Sequence, residues 1–322
     1  MNSTNVVIGI DIGGTNTKLG IVDREGNILA ESAIPTRAHE EAARLIARMN
    51  EAITGMTGSL ANLTVKGIGI GAPNANYYHG TVEHPPNLSW EGVTDVVGLF
   101  RTYTLLPVAI TNDANAAAIG ELIFGAGKGL KDFIVITLGT GLGSGIIVNG
   151  QLVYGHDGFA GEIGHMTVED EGRECGCGRR GCLEAYCSAT GICRTVFELL
   201  CCRRAESVLR DVSFNDLTAK QIFEAALQGD PIAREAFAVT GRILGRKLAD
   251  SVVHTSPAAI ILFGGLASAG ELIFEPTRRA LEDHVLNIFK GKVRVIPSGL
   301  KKGTAAILGA AALIWNELEN KL

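Results

Sequence analysis

Residues 6–32 read VVIGIDIGGTNTKLGIVDREGNILAES. Three runs rich in β-branched residues, VVIGID, TKLGIV and NILAES, are separated by GGTN and DREG, so the segment predicts three short strands joined by tight turns. The first turn gathers Asp11, Gly13, Gly14, Thr15, Asn16 and Lys18. Close backbone amides, hydroxyl donors and one carboxylate are what a phosphate and its hydrated magnesium require. A glycine turn in an ordinary hairpin has the same appearance.

An internal echo strengthens the first reading. Residues 132–155, DFIVITLGTGLGSGIIVNGQLVYG, again give strand, glycine-threonine turn, strand, NG turn, strand. Thr137, Gly139, Thr140, Gly141 and Gly143 stand where Asp11, Gly13, Gly14, Thr15 and Thr17 stood, at a constant offset of 137 − 11 = 126 residues. Two copies of one phosphate-gripping hairpin point to a duplicated α/β architecture with a nucleotide between them.

Between the copies, Leu45, Ile46, Met49 and Ile53 recur at helical spacing and predict an amphipathic helix. TVKGIGIGAPN predicts a strand that runs into a loop at Pro73 and Asn74. Trp90 reads as a core residue, and the neighbouring Asn87, in a proline-bounded loop, as a turn former. LPVAITND reads as an apolar strand and DANAAAIGELIFG as a helix, with Asp113 as cap or first-turn residue. Ligands of open α/β sheets collect at the carboxyl ends of strands, where Asn112 and Asp113 fall.

Residues 162–184, EIGHMTVEDEGRECGCGRRGCLE, hold His165, Cys175, Cys177 and Cys182. Three thiolates and an imidazole make a closed tetrahedral zinc site, and the glycines between them allow a tight loop. The alternatives are a disulfide or a reduced glycine-rich surface turn. Cys187, Cys193, Cys201 and Cys202 read as buried small apolar residues. Further on, Asp230 and Pro231 open a long helix that buries Ile232, Ala236, Val239, Ile243 and Leu248. AAIILFGGLASAG predicts a buried strand ending at Gly264 and Gly265, VRVIPSG another strand, and residues 303–322 a closing helix.

At 322 residues the chain is long for one domain, and two are expected. Its 46% hydrophobic and 20% charged residues are ordinary for a globular protein. Its 41 glycines are not, against a usage of about 7%; they cluster after apolar runs, where backbone must approach something closely. A net charge of −5 gives no broad reason to bind nucleic acid or an anionic membrane. MNSTNVVIGID lacks the marks of a signal peptide and AAILGAAALIW is too short to span a bilayer, so a cytoplasmic protein without membrane partner is expected.

CGCGRRGCLE, EIGH, the Asn-Asp pair and the DxGGT loop, in this order, resemble the signature of the ROK family of sugar kinases, repressors and open reading frames. The resemblance implies an actin-like ATPase (ribonuclease H-like) duplicated fold. It also implies a smaller α/β domain of residues 1–112 plus 303–322, and a larger one of 113–302 that carries the zinc loop and a homodimer surface. ATP with Mg2+ would phosphorylate the 6-hydroxyl of a hexose, D-glucose first. The implied roles follow: Asp113 as base; Asn87, Asn112, Glu162, His165 and Glu184 on sugar hydroxyls; Asp11 toward magnesium; the Thr15 and Thr140–Gly141 turns on phosphate; Gly264 and Gly265 beside adenosine. His165 would serve metal with one nitrogen and sugar with the other, whereas read alone Glu162 and Glu184 are equally solvated charges beside a structural knot.

Rival expectations are a kinase for N-acetylglucosamine, mannose, fructose or allose, and a non-catalytic sugar-responsive regulator. A repressor of this family carries a helix-turn-helix ahead of its DxGGT loop, and here that loop begins at residue 11. NANYYHG after Pro73 departs from the glycine and shorter loop of many relatives, which leaves the sugar open.

Overall fold

The computed structural model describes residues 3–301 and 303–320. Met1, Asn2, Lys302, Lys321 and Leu322, which the expected domain limits and closing helix take in, lie outside the described residues. In chain order the strands and helices are β1 (Thr4–Ile12), β2 (Asn16–Asp23), β3 (Ile28–Pro35), α1 (Ala42–Gly58), β4 (Leu63–Gly71), β5 (Ala75–Asn76), β6 (Thr81–Glu83) and β7 (Val93–Asp95). There follow α2 (Val96–Arg101), β8 (Val108–Thr111), α3 (Asp113–Phe124), β9 (Phe133–Leu138), β10 (Leu142–Val148) and β11 (Gln151–Leu152). The remainder is α4 (Ala189–Cys202), α5 (Ala219–Leu227), α6 (Pro231–Thr255), β12 (Ala259–Phe263), α7 (Glu271–His284), β13 (Arg294–Pro297) and α8 (Ala305–Asn320).

One sheet has the order β3-β2-β1-β4-β8 and another β11-β10-β9-β12-β13. Both follow one path: three consecutive strands side by side, then two later strands added beyond the first of the three. In the first sheet β1, β2 and β3 pair antiparallel, while β4 and β8 run parallel to β1. In the second, β12 and β13 run parallel to β9. The expected strands VVIGID, TKLGIV and NILAES lie within β1, β2 and β3.

The chain forms two compact units: Met1–Gly129 with Gly145–Ala160 and Gly299–Leu322, and Leu130–Ser144 with Gly161–Ser298. The boundary expected at 112/113 falls inside the first unit. Helix α3 packs along α8, and Gly145 presses so closely on α3 that a Cβ there would lie 2.5 Å from Ala118, which holds both segments in that unit.

In the first unit, α1 sends Leu45, Ile46 and Met49 into a core with Ile8, Ile10, Leu19 and Ile70; Ile53 packs at its margin. Trp90 is 7% exposed and donates to the Glu40 carbonyl, so it is a core residue. The strand glycines face α8. A Cβ on Gly9 would lie 2.3 Å from the Ile307 carbonyl, and one on Gly69 1.9 Å from that of Ala310. Much of the glycine excess in GIDIGGT and GIGIGAPN therefore seats a helix rather than a ligand, a correction to the sequence expectation.

In the second unit, Asp230 caps α6 by accepting from the Ile232 and Ala233 amides, with Pro231 in the first turn. Ile232, Ala236 and Leu248 are buried as expected, but Val239 and Ile243 are only half-buried and line a groove between α6 and α7. Gly241 and Gly245 are where α6 touches Pro276, Thr277 and Ala280, which turns the 239/243 stripe toward solvent. Cys187 and Cys193 are buried, whereas Cys201 and Cys202 are exposed, because they form the last turn of α4. That helix begins only after Ser188 caps it through the Gly191 amide; residues 183–185 are a short 3-10 turn.

Candidate active site

In the first unit one row of residues crosses the sheet at the carboxyl ends of its parallel strands: Lys18, Asp11, Gly71, Thr111. Asp113 follows two residues after Thr111, in the first turn of α3. Gly71, between the acids' strands, has no side chain to separate them, and its Cβ position lies 4.0 Å from Asp11 Oδ1. Asn112, not Asp113, caps α3: its Oδ1 accepts the Asn115 amide at 2.6 Å, while Asp113 Oδ1 accepts the Ala114 amide at 2.8 Å. Among the described residues, the Asn112 side-chain amide and the second Asp113 oxygen have no hydrogen-bond partner.

Burial and then the negative charge of Asp113 push the Asp11 carboxyl up to about 6, with Lys18 opposing. Among the described residues Asp11 accepts no hydrogen bond, and of the groups acting on it Lys18 favours its ionised form. Asp113 is also raised, by the protein packed around it, against the pull of the Ala114 and its own amide. Its side chain nonetheless reaches solvent, which limits that rise. Two neighbouring acids held above their ordinary range, with no cation among the described residues bonded to them, are what a bound divalent ion or a proton-accepting role would use.

The turn after β1 is closed by a Gly13 amide to Asn16 carbonyl bond, and Thr36 clamps it. The Thr36 hydroxyl donates to the Gly13 carbonyl at 2.7 Å, and its amide to the Thr15 carbonyl at 2.9 Å. Asn87 lies over this turn, with its Cβ 3.1 Å from the Cβ position of Gly14. In the second unit the turn after β9 closes through the Gly139 amide on the Gly141 carbonyl and the Gly143 amide on the Thr137 hydroxyl at 3.1 Å. What is left unpaired matches. Among the described residues, the amides of Gly14 and Thr15 in one turn, and of Thr140 and Gly141 in the other, have no protein acceptor, at equivalent positions of the 126-residue echo. Consecutive free amides form an anion-binding concavity.

The second unit also brings together His165, Cys175, Cys177 and Cys182, whose ligand atoms all lie within 4.8 Å of one another and could hold a metal ion. Cys177 Sγ and Cys182 Sγ are 3.8 Å apart, and Cys175 Sγ and His165 Nδ1 3.7 Å. Tetrahedral coordination at about 2.3 Å for sulfur and 2.0–2.1 Å for nitrogen gives edges of about 3.5–3.8 Å, so the donor set fits a four-coordinate ion. Burial pushes the Cys175 thiol up to about 12 and raises Cys182; for Cys177 burial is outweighed by the Arg179 amide and the two neighbouring sulfurs, which lower it. His165 Nε2 points the other way, 3.9 Å from Glu162 Oε2. Arg173 ties the loop to α4. It donates to the Ala185 and Gly191 carbonyls, to Thr195 and to Glu198, and stacks on Tyr186 at 4.3 Å.

Asp11, Gly13, Gly14, Thr15, Asn16, Lys18, Asn87, Asn112 and Asp113 thus belong to the first unit, and Thr140, Gly141, Glu162, His165, Glu184, Gly264, Gly265 and the three cysteines to the second. Gly264 has φ +105° and abuts the Leu138 backbone, which accounts for that glycine by packing; Gly265 faces open space. Three contributors escaped the sequence reading. Thr36 ends the meander opposite the first turn. Thr190 donates to the Thr140 carbonyl at 3.1 Å. Glu121, fully buried, accepts the Ala126 and Gly299 amides at 2.7 and 3.1 Å; its signal is a helix whose residues 114–120 are all buried, so that a polar neighbour must be buried too.

The departing loop NANYYHG also takes definite form. Asn74 adopts φ +51°, the left-handed conformation in which asparagine substitutes best for glycine, and its Nδ2 donates to the His84 carbonyl at 3.0 Å. Tyr77 stacks on Tyr154 at 4.0 Å, and the buried Asn76 donates to the Asp157 carbonyl.

Two sheets of one strand order, each with a glycine turn after its first strand, define an actin-like ATPase fold with acids at the carboxyl edge of its first sheet. The chain belongs to the ROK family, whose model matches residues 7–317. It is 36% identical over 319 residues to the glucokinase of Streptomyces coelicolor, covering 96% of this chain and 97% of that one. It is likewise 36% identical over 315 residues to the glucokinase of Thermotoga maritima, with 96% of each covered. Among solved structures, a ROK family glucokinase from Streptomyces griseus in complex with glucose and AMPPNP is similar at a TM-score of 0.80 and 37% identity, over 96% of this chain and 98% of that one.

Proposed function

We propose that this chain transfers the γ-phosphoryl group of ATP to the 6-hydroxyl of a hexose, D-glucose first. The observation that carries the reading is the matched pair of free amides at 14/15 and 140/141, with an unpaired carboxylate, Asp11, beside the first pair. Similarity to glucokinases over nearly the whole chain supports the choice of sugar.

Asp113 takes the proton of the sugar hydroxyl as its oxygen attacks the γ-phosphorus and the bond from that phosphorus to the departing ADP oxygen breaks. The first turn of α3 suits this role, since the helix N-terminus favours the carboxylate that must accept the proton. Asp11 would hold magnesium, which would neutralise charge on the phosphates; Lys18 stands beside Asp11 across the β1–β2 pairing. The Gly13–Asn16 and Thr140–Gly141 turns bind phosphate oxygens, with Gly264 and Gly265 on the adenosine side. Asn87, Asn112, Glu162, His165 and Glu184 take the sugar hydroxyls. His165 and the three cysteines would hold zinc, which would stiffen the loop; His165 Nε2 would then be a fixed donor toward sugar. A cytoplasmic homodimer, to be checked by light scattering, belongs to the same proposal.

The test is an ATP-coupled assay over a panel of hexoses with the wild type and Asp113→Asn. Glucose should be the best substrate, and the variant, which keeps the shape and the Ala114 contact, should lose about two to four decades in kcat with sugar affinity nearly unchanged. Turnover of no sugar would leave a non-catalytic sugar-responsive regulator.

A further inference from the structure

Glu184 is one of the side chains assigned to the sugar hydroxyls. Its carboxylate is turned toward a different part of the unit. Oε2 accepts the Leu142 amide at 2.8 Å, and a Cβ on Gly141 would lie 2.3 Å from the same oxygen, so the turn lies flat against the carboxylate. The residues that follow continue the grip: the Ala189 amide donates to the Gly139 carbonyl at 2.8 Å, and the Thr190 hydroxyl to that of Thr140. Residues 184–190 therefore bind the turn from one side at three successive points. The amides left free are those of Thr140 and Gly141. The first turn is clamped differently, by the neutral hydroxyl and backbone of Thr36, with no charged acceptor among the described residues. A bond from an amide to a carboxylate is roughly twice as strong as one between neutral groups.

We propose that Glu184 is a positioning residue for the phosphate turn of residues 139–142, so that one side chain fixes the nucleotide-binding amides with Oε2 while Oε1 faces the cysteine loop. The proposal rests on the kinase reading above. It makes the cysteine loop, the sugar-side carboxylate and the second phosphate turn one mechanical body. Changing Glu184 must then alter nucleotide binding when no sugar is present, which a residue that only accepts a sugar hydroxyl cannot do.

The experiment is calorimetric titration of the full chain with Mg2+ and AMPPNP in the absence of sugar, on wild type, Glu184→Gln, Glu184→Ala and Thr190→Val. Glutamine keeps a carbonyl oxygen for the Leu142 amide, so Glu184→Gln should bind within about threefold of wild type, whereas Glu184→Ala should bind about tenfold more weakly. Both should raise the KM for glucose. Thr190→Val, which removes a turn contact remote from any sugar role, should weaken AMPPNP by a few-fold. Wild-type affinity for AMPPNP in Glu184→Ala, with a raised glucose KM, would overturn the proposal and leave the kinase reading intact. Should Glu184→Ala fail to fold by circular dichroism, unchanged affinity in Thr190→Val overturns it instead. No binding of AMPPNP by the wild type overturns both.

Discussion

Asparagine at position 11 should make this protein more stable and inactive. Burial and Asp113 push the Asp11 carboxyl up to about 6 from the 3.8 of an ordinary aspartate, because they oppose its charge more than Lys18 supports it. A rise of that size corresponds to about 3 kcal/mol against the ionised form. Asp11 keeps some contact with water, so about 1–2 kcal/mol is the sounder expectation. Between pH 3.8 and about 6 the folded chain retains a proton that the unfolded chain has released, so the group's support for folding falls as pH rises through that window. Above it the whole penalty stands. Asp11→Asn, nearly isosteric and uncharged, removes the penalty. Its melting temperature should exceed that of wild type by a few degrees at pH 7.5, about 2–5 °C, and the difference should shrink toward zero near pH 4. Differential scanning calorimetry at both pH values, without nucleotide, decides the matter. A destabilised variant at pH 7.5, or an increment independent of pH, would mean that Asp11 is held by a stabilising partner and is not kept unpaired for a ligand.

The same carboxyl sets an acid limb on catalysis. Below about pH 6 the kcat/KM for MgATP should fall tenfold per unit, and saturating magnesium should carry the limb to lower pH by favouring the ionised form; a limb indifferent to magnesium would count against Asp11 as its holder. Cys177→Ala should lower the bound zinc, measured by plasma emission, well below one per chain and depress the melting temperature; a wild type free of zinc would end the metal reading. Asn74→Gly should be tolerated, while Asn74→Val should cost about 1–2 kcal/mol in urea unfolding for the left-handed backbone, equal midpoints for the two speaking against strain there.

The duplicated hairpins were legible because turn chemistry and strand alternation are local: GGTN and DREG punctuate the chain wherever it goes. Asp113 was legible for the same reason, lying at a strand-to-helix junction. Burial that depends on a distant partner was not. Nothing near Val239 and Ile243 says that α7 packs against the glycine face of α6 instead of theirs, and nothing near Gly9 or Gly69 announces a helix some 240–300 residues later in the chain. The bond from Glu184 to Leu142 joins residues 42 positions apart, and a carboxylate's sequence context does not report which of its oxygens is already taken.

Helix α8 lies directly on the glycines of β1 and β4, with no side chain between backbone and backbone. The first sheet consequently has a groove that α8 fills. During synthesis the ribosome delivers that sheet some 200 residues before its cover, at about 5–20 residues per second, so it must wait tens of seconds with an apolar face bare. The earliest-made sheet is then completed only after residues 305–320 have been made.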